Sequence, residues 1–411
     1  MRRLERVVLG TAVVGTMAGC GAHPSDAGRP AAPIAPARSP LTTIATDLRA
    51  LAEPPQVAPP TRVRAPAPAA GGDVIVVAGM VWSSSATSAP VTLVGTDGRV
   101  VAHADVPIDS QWTVSAGRGG AYWVAAGHLQ RLGVDGARSD LGALAPGQDG
   151  RVAIAPDGNT WIYASSVTAK DGSIDNRLWR GAPGRAPSLL AQHAGGGADP
   201  SANAPQSWHY AVKSWTASGV LVVQEPTGGC GCGAFDMEMM AGHSSLVDPV
   251  TGVATSVTAD NSCPLSDVGP GGVSACFHGG GSGADALRIH APTATQTFSM
   301  SGTSLAGDAR FDATDSHLAY ATTPVDSGCG AWAQQTTLRV LDVAAGSARA
   351  VGPKGLQPAA WLQDGRMVAT LTTAATGGEE SAAVVTVDLA SGAVRPVLSG
   401  GDLRVVGISE L

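Results

Sequence analysis

The sequence carries little charge, and what it lacks narrows the classes of protein it can belong to. Charged residues make up only 14% of the 411 residues, and the formal net charge is −7. No basic stripe occurs, which argues against nucleic acid as a partner. Helical spacing of apolar residues is almost absent after Ala70, and no second long apolar run follows the N-terminal one. Short runs of valine, isoleucine, leucine and threonine between turn residues predict an all-β protein instead.

Sequence signatures of enzymes are also missing or broken. There is no His-Glu-x-x-His motif and no phosphate-binding loop. Asp157 to Trp161 is similar to a sialidase Asp-box but is one residue short, and residues 302–306 lack one glycine of a nucleophile elbow. Turns such as 388–392 are similar to those of quinone-dependent propellers, but the tryptophan that docks each blade there is missing. These absences favour a non-catalytic protein without a cofactor.

The N-terminus has the pattern of an export signal. Three arginines precede an apolar stretch from Val7 to Thr16, and small residues then precede Cys20. This arrangement resembles a bacterial lipoprotein signal peptide. The resemblance implies removal of residues 1–19 and lipidation of the Cys20 thiol, which would hold the protein on the extracytoplasmic face of the cell membrane or the outer membrane. The alternative is an ordinary secretory signal in which Cys20 has no role.

A spacer is expected to follow the anchor. Residues 20–72 contain eleven prolines among many alanines, and such a segment buries too little apolar surface to offset its ordering entropy. Residues 41–52 interrupt it with leucine and isoleucine at helical spacing, which predicts a short amphipathic helix. The folded part is expected to span residues 73–411.

Strand patterns repeat through that folded part. Hairpin turns end in a glycine at six places, which are Gly98, Gly136, Gly184, Gly252, Gly346 and Gly392. Gly98 and Gly392 are 294 residues apart, and if the poorly marked fifth blade adds one more turn, six steps average 49 residues, which suits a four-stranded propeller blade. A second element, with turns at Asp157-Gly158 and Asp364-Gly365 and weaker copies at 268–274 and 312–318, fits the inner hairpin of a blade. The sequence therefore predicts a seven-bladed β-propeller, with six or eight blades as alternatives.

The blade limits and the closure of the ring can be predicted from the same repeats. The blades are expected at 73–107, 108–147, 148–200, 207–260, 261–304, 305–353 and 354–399. Blade one lacks an obvious innermost strand, and residues 402–408 form an orphan strand that would supply it and close the ring.

The Pro-Asp-Gly hairpins and Asp-x-x-Thr-Gly turns resemble the repeats of TolB-like bacterial β-propellers. That resemblance implies a binding or scaffold protein of the cell envelope. Propellers of similar shape include lyases and hydrolases, so a lyase or glycoside hydrolase acting at the channel mouth is the alternative.

The cysteines admit three interpretations. Beyond Cys20 the sequence contains Cys230, Cys232, Cys263, Cys276 and Cys329, and disulfides persist outside the cytoplasm. Cys263 and Cys276 begin and end a predicted hairpin, so we expect them to be bonded, with α-carbons within about 7 Å. One of Cys230 and Cys232 would join a second bridge, of open connectivity, and one thiol would stay free. A soft-metal site for Cu(I) would instead use Cys230, Cys232, Met237, Met239, Met240 and His243. Thiol exchange by the Cys-x-Cys pair is the third interpretation.

Two long loops, 193–207 and 225–243, are the expected contact surfaces, because loops on rigid scaffolds carry function. The binding-surface candidates are Phe235, Asp236, Met237, Glu238, His243, Trp208, His209 and Trp332. Most of the nine tryptophans are expected to pack between sheets. We therefore predict a monomeric, membrane-anchored propeller that binds a protein or glycan partner in the envelope. Clustered carboxylates or histidines at the channel mouth would favour the enzyme alternative, and an uncharged mouth the binding module.

Overall fold

The protein folds into seven antiparallel four-stranded sheets arranged in a ring, the seven-bladed β-propeller that the repeats predict. The computed structural model describes residues 72–168, 174–195, 208–226, 234–235, 242–257, 263–279, 283–325, 332–374 and 380–409. The export signal, the spacer and the helix expected at 41–52 lie outside these residues. Within the described part, no helix is long and apolar enough to cross a membrane.

The first fifteen strands of the chain belong to blades one to four. Blade one has β1 (Val74–Met80), β2 (Ser88–Gly95) and β3 (Val100–Pro107), followed by a 3₁₀ turn (Ile108–Trp112). Blade two has β4 (Ser115–Gly117), β5 (Gly120–Ala125), β6 (His128–Gly133) and β7 (Arg138–Ala143). Blade three has β8 (Gln148–Ile154), β9 (Trp161–Thr168), β10 (Ile174–Gly181) and β11 (Ser188–Gly195). Blade four has β12 (Trp208–Thr216), β13 (Gly219–Pro226), β14 (Ser244–Val247) and β15 (Ala254–Ser256).

The remaining strands complete the ring. Blade five has β16 (Leu265–Val268), β17 (Ser274–His278), β18 (Ala286–Ala291) and β19 (Ala294–Ser299). Blade six has β20 (Ser304–Phe311), β21 (His317–Pro324), a helical turn α1 (Trp332–Gln335), β22 (Thr337–Asp342) and β23 (Ser347–Ala350). Blade seven has β24 (Leu356–Trp361), β25 (Met367–Ala374), β26 (Glu380–Val387) and β27 (Val394–Ser399). The last strand is β28 (Asp402–Ser409).

The C-terminal strand closes the ring, as predicted. β28 is the innermost strand of blade one and pairs antiparallel with β1, from Val74 opposite Ser409 to Met80 opposite Asp402. Behind this pair, Ile75 and Val77 are fully buried against side chains of blade seven that include Val368. The first and last blades are therefore joined both by backbone pairing and by a shared apolar core.

The repeated turns are scaffold features, as the sequence indicates. Gly252 has a φ of +74° in the outer turn of blade four, and a Cβ there would lie 2.3 Å from the Leu190 carbonyl oxygen of blade three. Only glycine fits that position. In the same turn the Asp248 carboxylate accepts hydrogen bonds from the amides of Val250 and Thr251, at 2.9 and 2.7 Å. These bonds lower the pKa of Asp248.

The topology assigns each connection to one of two faces of the ring. Strands alternate in direction, so connections between second and third strands lie on the same face as connections between blades. We call this face, which carries Trp82, Trp112 and Trp332, the loop face. The opposite face carries the inner hairpin turns, and the first described strand, β1, begins there at Val74.

Candidate functional site

The inner strands carry β-bulges at equivalent places around the channel. In each blade the inner strand pairs with the strand next to it, which gives seven inner strand pairs among the described residues. Six of these pairs contain a register shift that leaves one or two residues of the inner strand unpaired. The skipped positions are Gly150 and Arg151, Lys213, Ser266, Asp308 and Ala309, Ala359, and Val406. A bulge bends its strand and re-aims the extra side chain. One residue from each of these six bulges contributes to the wall of one cavity.

That cavity occupies the channel on its loop-face side and has a volume of about 840 Å³. This volume lies within the range of small-molecule sites in proteins. Its charged lining residues come from five blades and are Arg151, Lys213, Glu225, Asp267, Asp308, Arg310, Asp402 and Arg404. A second cavity of about 300 Å³ begins on the opposite face, and both include Arg151, Lys213, Ser214 and Val406 in their walls. The two cavities therefore meet near the middle of the ring.

Blade four contributes an ion pair to the wall. The Lys213 ammonium, at the bulge of β12, contacts the Glu225 carboxylate at the end of β13. The Nε2 atom of His209 lies 3.9 Å from the other carboxylate oxygen of Glu225. The Glu225 side chain is 14% exposed, so the Lys213 ammonium compensates a largely buried carboxylate.

Blades five and six contribute carboxyls whose pKa values are raised. Burial raises the pKa of Asp267 to about 6, although Arg310 and the amide of Phe311, 2.7 Å from the carboxylate, oppose that shift. Burial also raises the pKa of Asp308 against the attraction of Arg310. Asp308 adopts a φ of +53° within its bulge, a conformation that few residues other than glycine tolerate. Shifted acids on strained backbone in a cleft are features of functional sites.

Three arginines come from three blades that are separated along the ring. The Arg310 side chain is fixed by hydrogen bonds to the Ala309 and Ala359 carbonyl oxygens, the latter at 3.0 Å. Arg404, on the closing strand, donates to the Gln111 carbonyl oxygen at 2.8 Å and lies 6.0 Å above the Trp112 ring. Among the described residues, the Arg151 guanidinium has no hydrogen-bond or ion-pair partner. Two of the guanidinium groups are thus held in place, and the third is available.

Aromatic rings surround the cavity on the loop face. Trp82 is 67% exposed and Trp112 is 46% exposed, and their rings meet edge to face with centroids 5.4 Å apart. The Trp82 indole donates to the Asp402 carboxylate at 2.7 Å, which fixes the ring at the start of β28. Trp332 also lines the cavity, from α1 of blade six. The expectation that most tryptophans pack between sheets is wrong for Trp82 and Trp112, because they lie in connections and not in strands.

The structure contains one of the expected disulfides. Cys263 and Cys276 are bonded with their α-carbons 5.3 Å apart, across the inner hairpin of blade five. His290, on the next strand, lies 3.6 Å from the Cys276 sulfur. The other cysteines, Cys20, Cys230, Cys232 and Cys329, lie outside the described residues, and so do the proposed metal ligands Met237, Met239 and Met240. Among the described residues, no cluster of histidine, cysteine or acidic side chains has the arrangement of a metal site.

Phe235 differs from the expected surface residue. Only 6% of it is exposed, and its ring packs against Trp332 of blade six, 5.4 Å between centroids. The connection between β13 and β14 of blade four therefore contacts blade six at Phe235. Phe235 adopts a φ of +61°, and the burial of its ring compensates for that backbone cost.

The remaining candidates are dispersed. Trp208 is half-buried at the start of β12, where its carbonyl oxygen accepts a hydrogen bond from buried Asn176 at 3.2 Å, and its ring packs on Tyr210. His209 faces Glu225, and His243 is exposed. Asp236 and Glu238 lie outside the described residues.

Sequence reasoning missed the charged wall of the channel. Its strongest available signal is a charged residue of the inner strand at a fixed distance before the hairpin turn. Arg151 stands seven residues before Gly158, and Asp308 stands seven residues before Asp315, and both turn residues have positive φ. This equivalence would have pointed to the channel.

Solved structures that are similar to this chain have low sequence identity to it. No protein-family model and no curated protein matches the sequence. Among solved structures, a 6-phosphogluconolactonase-type protein of Bacteroides fragilis is 11% identical, with 86% of this chain and 100% of that chain covered and a TM-score of 0.48. A TolB-type protein of Agrobacterium tumefaciens is 14% identical over 69% of this chain and 89% of its own, with a TM-score of 0.37. A prolyl endopeptidase is 12% identical over 74% of this chain, with a TM-score of 0.43, and this chain spans 43% of the peptidase.

Proposed function

We propose that this protein is an extracytoplasmic, lipid-anchored propeller that binds a protein or glycan partner at the channel mouth on its loop face. The observation that carries the proposal is the pair of exposed rings, Trp82 and Trp112, at the rim of the charged cavity. Large exposed aromatic rings beside a cavity are typical of recognition surfaces, because their burial contributes strongly to binding.

The rim is built to present those rings in one arrangement. Asp402 accepts a hydrogen bond from the Trp82 indole, and the Arg404 guanidinium lies over the face of the Trp112 ring. The buried side chain of Gln111 accepts a hydrogen bond from the Val81 amide at 2.8 Å, which ties the residue before Trp82 to the residue before Trp112. Little side-chain freedom is then left to lose on binding, which favours affinity.

The direction of the first strand keeps the described start of the chain away from the exposed tryptophans. β1 begins at Val74 on the face opposite to Trp82 and Trp112. The described chain therefore leaves those two rings uncovered where it enters the propeller.

Replacement of the exposed rings tests the binding site. Trp82→Ala and Trp112→Ala should each reduce retention of a partner captured from detergent-solubilised membranes, or of a glycan on an array, by about tenfold or more. Trp215→Ala is the matched control, because Trp215 lines the cavity on the opposite face. Equal retention by all three variants and the wild type would place the partner elsewhere.

Replacement of Cys20 tests the anchor separately. Cys20→Ser should leave the protein unprocessed or release it from membranes. A Cys20→Ser protein that is processed and still sediments with membranes as before would contradict the lipoprotein proposal.

A specific observation also supports the second candidate, a propeller lyase or glycoside hydrolase. Carboxylates from four blades cluster in the cavity wall, and such clustering favours the enzyme alternative. Asp267, with a pKa raised to about 6, is suited to proton transfer near neutral pH. Release of reducing ends from glycans by the wild type, with loss of that activity in Asp267→Asn, would support the enzyme. Activity equal to that of a heat-denatured sample would reject it.

A further inference from the structure

Four positive groups and four acidic groups line the cavity, and the acidic groups are distributed unevenly among the positive ones. Glu225 is engaged by Lys213 and His209, and the Asp402 carboxylate accepts the Trp82 indole. The Asp267 carboxylate accepts a hydrogen bond from the Phe311 amide at 2.7 Å, and both Asp267 and Asp308 interact electrostatically with Arg310. On blade three and on the closing strand, Arg151 and Arg404 also face the cavity.

We infer that the cavity is a binding site for a small ligand carrying a carboxylate or phosphate group, which Arg151, Arg310 and Arg404 would hold beneath the tryptophan rim. This inference adds a ligand class to the proposed function. It rests on that function for one point, that the ligand enters from the loop face. Guanidinium groups suit both anions because their planar donors match two oxygens at once.

The three side chains differ in a way that fits such a site. Arg310 and Arg404 are oriented in advance, by the Ala359 and Gln111 carbonyl oxygens respectively. Arg151 projects from a bulge and makes no hydrogen bond or ion pair among the described residues, although the Glu225 carboxylate attracts it. Two fixed donors and one available donor around a cavity make a preorganised site that a ligand completes.

Electrostatics support the same arrangement. Burial lowers the pKa of Arg151, and repulsion by Arg310 lowers it further, against the attraction of Glu225. Burial likewise lowers the pKa of Arg404 to about 9, with a contribution from Arg151. Like charges held close together out of water are costly, and an anion between them would relieve that cost.

The neutral part of the ligand would meet the rim. The cavity volume of about 840 Å³ exceeds what an inorganic anion needs, and Trp82, Trp112 and Trp332 offer flat apolar surfaces at its opening. A compact organic molecule with one anionic end therefore fits better than an ion alone.

Calorimetric titration of the full-length protein in detergent tests the inference. The probes are glucuronate, glucose 6-phosphate and glucose, which share a ring and differ in the anionic group, with inorganic phosphate as a fourth. We expect at least one anionic sugar to bind about tenfold or more tightly than glucose, since one charge-assisted contact is worth roughly that factor. Tighter binding of glucuronate would indicate a carboxylate ligand, and tighter binding of glucose 6-phosphate would indicate a phosphate ligand. Equal binding of glucose, or no heat with any anion at millimolar concentration, would overturn the inference.

Variants locate the site and check the fold. Arg151→Gln should weaken binding of the preferred sugar by about tenfold or more, and Arg151→Lys should recover part of it. Arg366→Gln is the matched control, because Arg366 pairs with Asp364 on the surface outside the cavity. Arg151→Gln must melt at the wild-type temperature for the comparison to hold. If it does not, Arg151→Lys, which keeps the charge, carries the test.

Failure of this inference and failure of the proposed function are distinguishable. Anion binding that persists in Trp82→Ala, with no partner found at the rim, would support the arginine site without the partner. Unchanged sugar binding in Arg151→Gln, with partner binding lost in Trp82→Ala, would reject the arginine site and leave the proposed function in place.

Discussion

Closure of the ring by β28 gives the most direct test of the architecture. A chain that ends at Gly401 would lose the strand that pairs with all seven residues of β1. It would also lose Leu403, Val405 and Ile408, which are half-buried against the core between blades one and seven.

The size of the effect follows from that burial. A fully buried aliphatic side chain is worth about 1.5–3 kcal/mol, so three half-buried ones contribute about 3 kcal/mol together. A domain has a net stability of only about 5–15 kcal/mol. Because 1 kcal/mol shifts the melting temperature of a large domain by about 2–4 °C, we expect a fall of about 6–12 °C.

Differential scanning calorimetry of the truncated and full-length proteins provides the measurement. A chain that lacks only residues 410–411 is the control for loss of the terminus itself. Light scattering should also detect association of the truncated protein, because β1 becomes an unpaired edge. A melting temperature within about 1 °C of the full-length value, with no association, would refute closure by this strand.

Three further predictions concern the cysteines, the turns and the channel. Cys276→Ser should lower the free energy of unfolding by about 3 kcal/mol, the value expected for a disulfide that closes a loop of this length. In the wild-type mature protein, thiol titration after unfolding without reductant should find one free thiol. Gly252→Ala should destabilise far more than Gly136→Ala, because both have positive φ but nothing lies within 4 Å of a Cβ at Gly136; equal losses in denaturant titration would contradict the contact with blade three. Burial raises the pKa of Asp267 to about 6, above its unfolded value near 4, so its contribution to stability is complete below pH about 4 and is lost as the pH rises through about 6. Asp267→Asn should therefore gain stability over the wild type at pH 7 and not at pH 4, in denaturant titrations at the two values.

The fold was predictable because its signals are local. Gly98 and Gly392 mark outer turns, and both have positive φ between the third and fourth strands of their blades. Blade one lacked an innermost strand and residues 402–408 formed a strand without a blade, so the sequence predicted that the second supplies the first. Neighbouring residues determine the turn types and the strand lengths, so both can be predicted without knowledge of the tertiary structure.

The channel was not predictable because its signals are distant. Arg151, Arg310 and Arg404 lie far apart in the sequence and meet only when the ring closes. The bulges also break the alternation that would reveal which side chains point inward. For the same reason Trp82 was expected in a core, since the sequence alone does not show that its connection opens on the cavity.

The bulges in the inner strands have a consequence for how such a protein can change over evolutionary time. A bulged residue stands outside the hydrogen-bonded ladder, so its replacement alters the channel without altering strand register. Lys213 and Asp308 occupy such positions, while Ala359 and Val406 keep equivalent ones apolar. The ring thus offers a set of independently exchangeable sites on a constant frame. Homologous propellers can therefore evolve different ligand specificities by single substitutions at these positions. Protein engineers can vary the same positions to change the ligand.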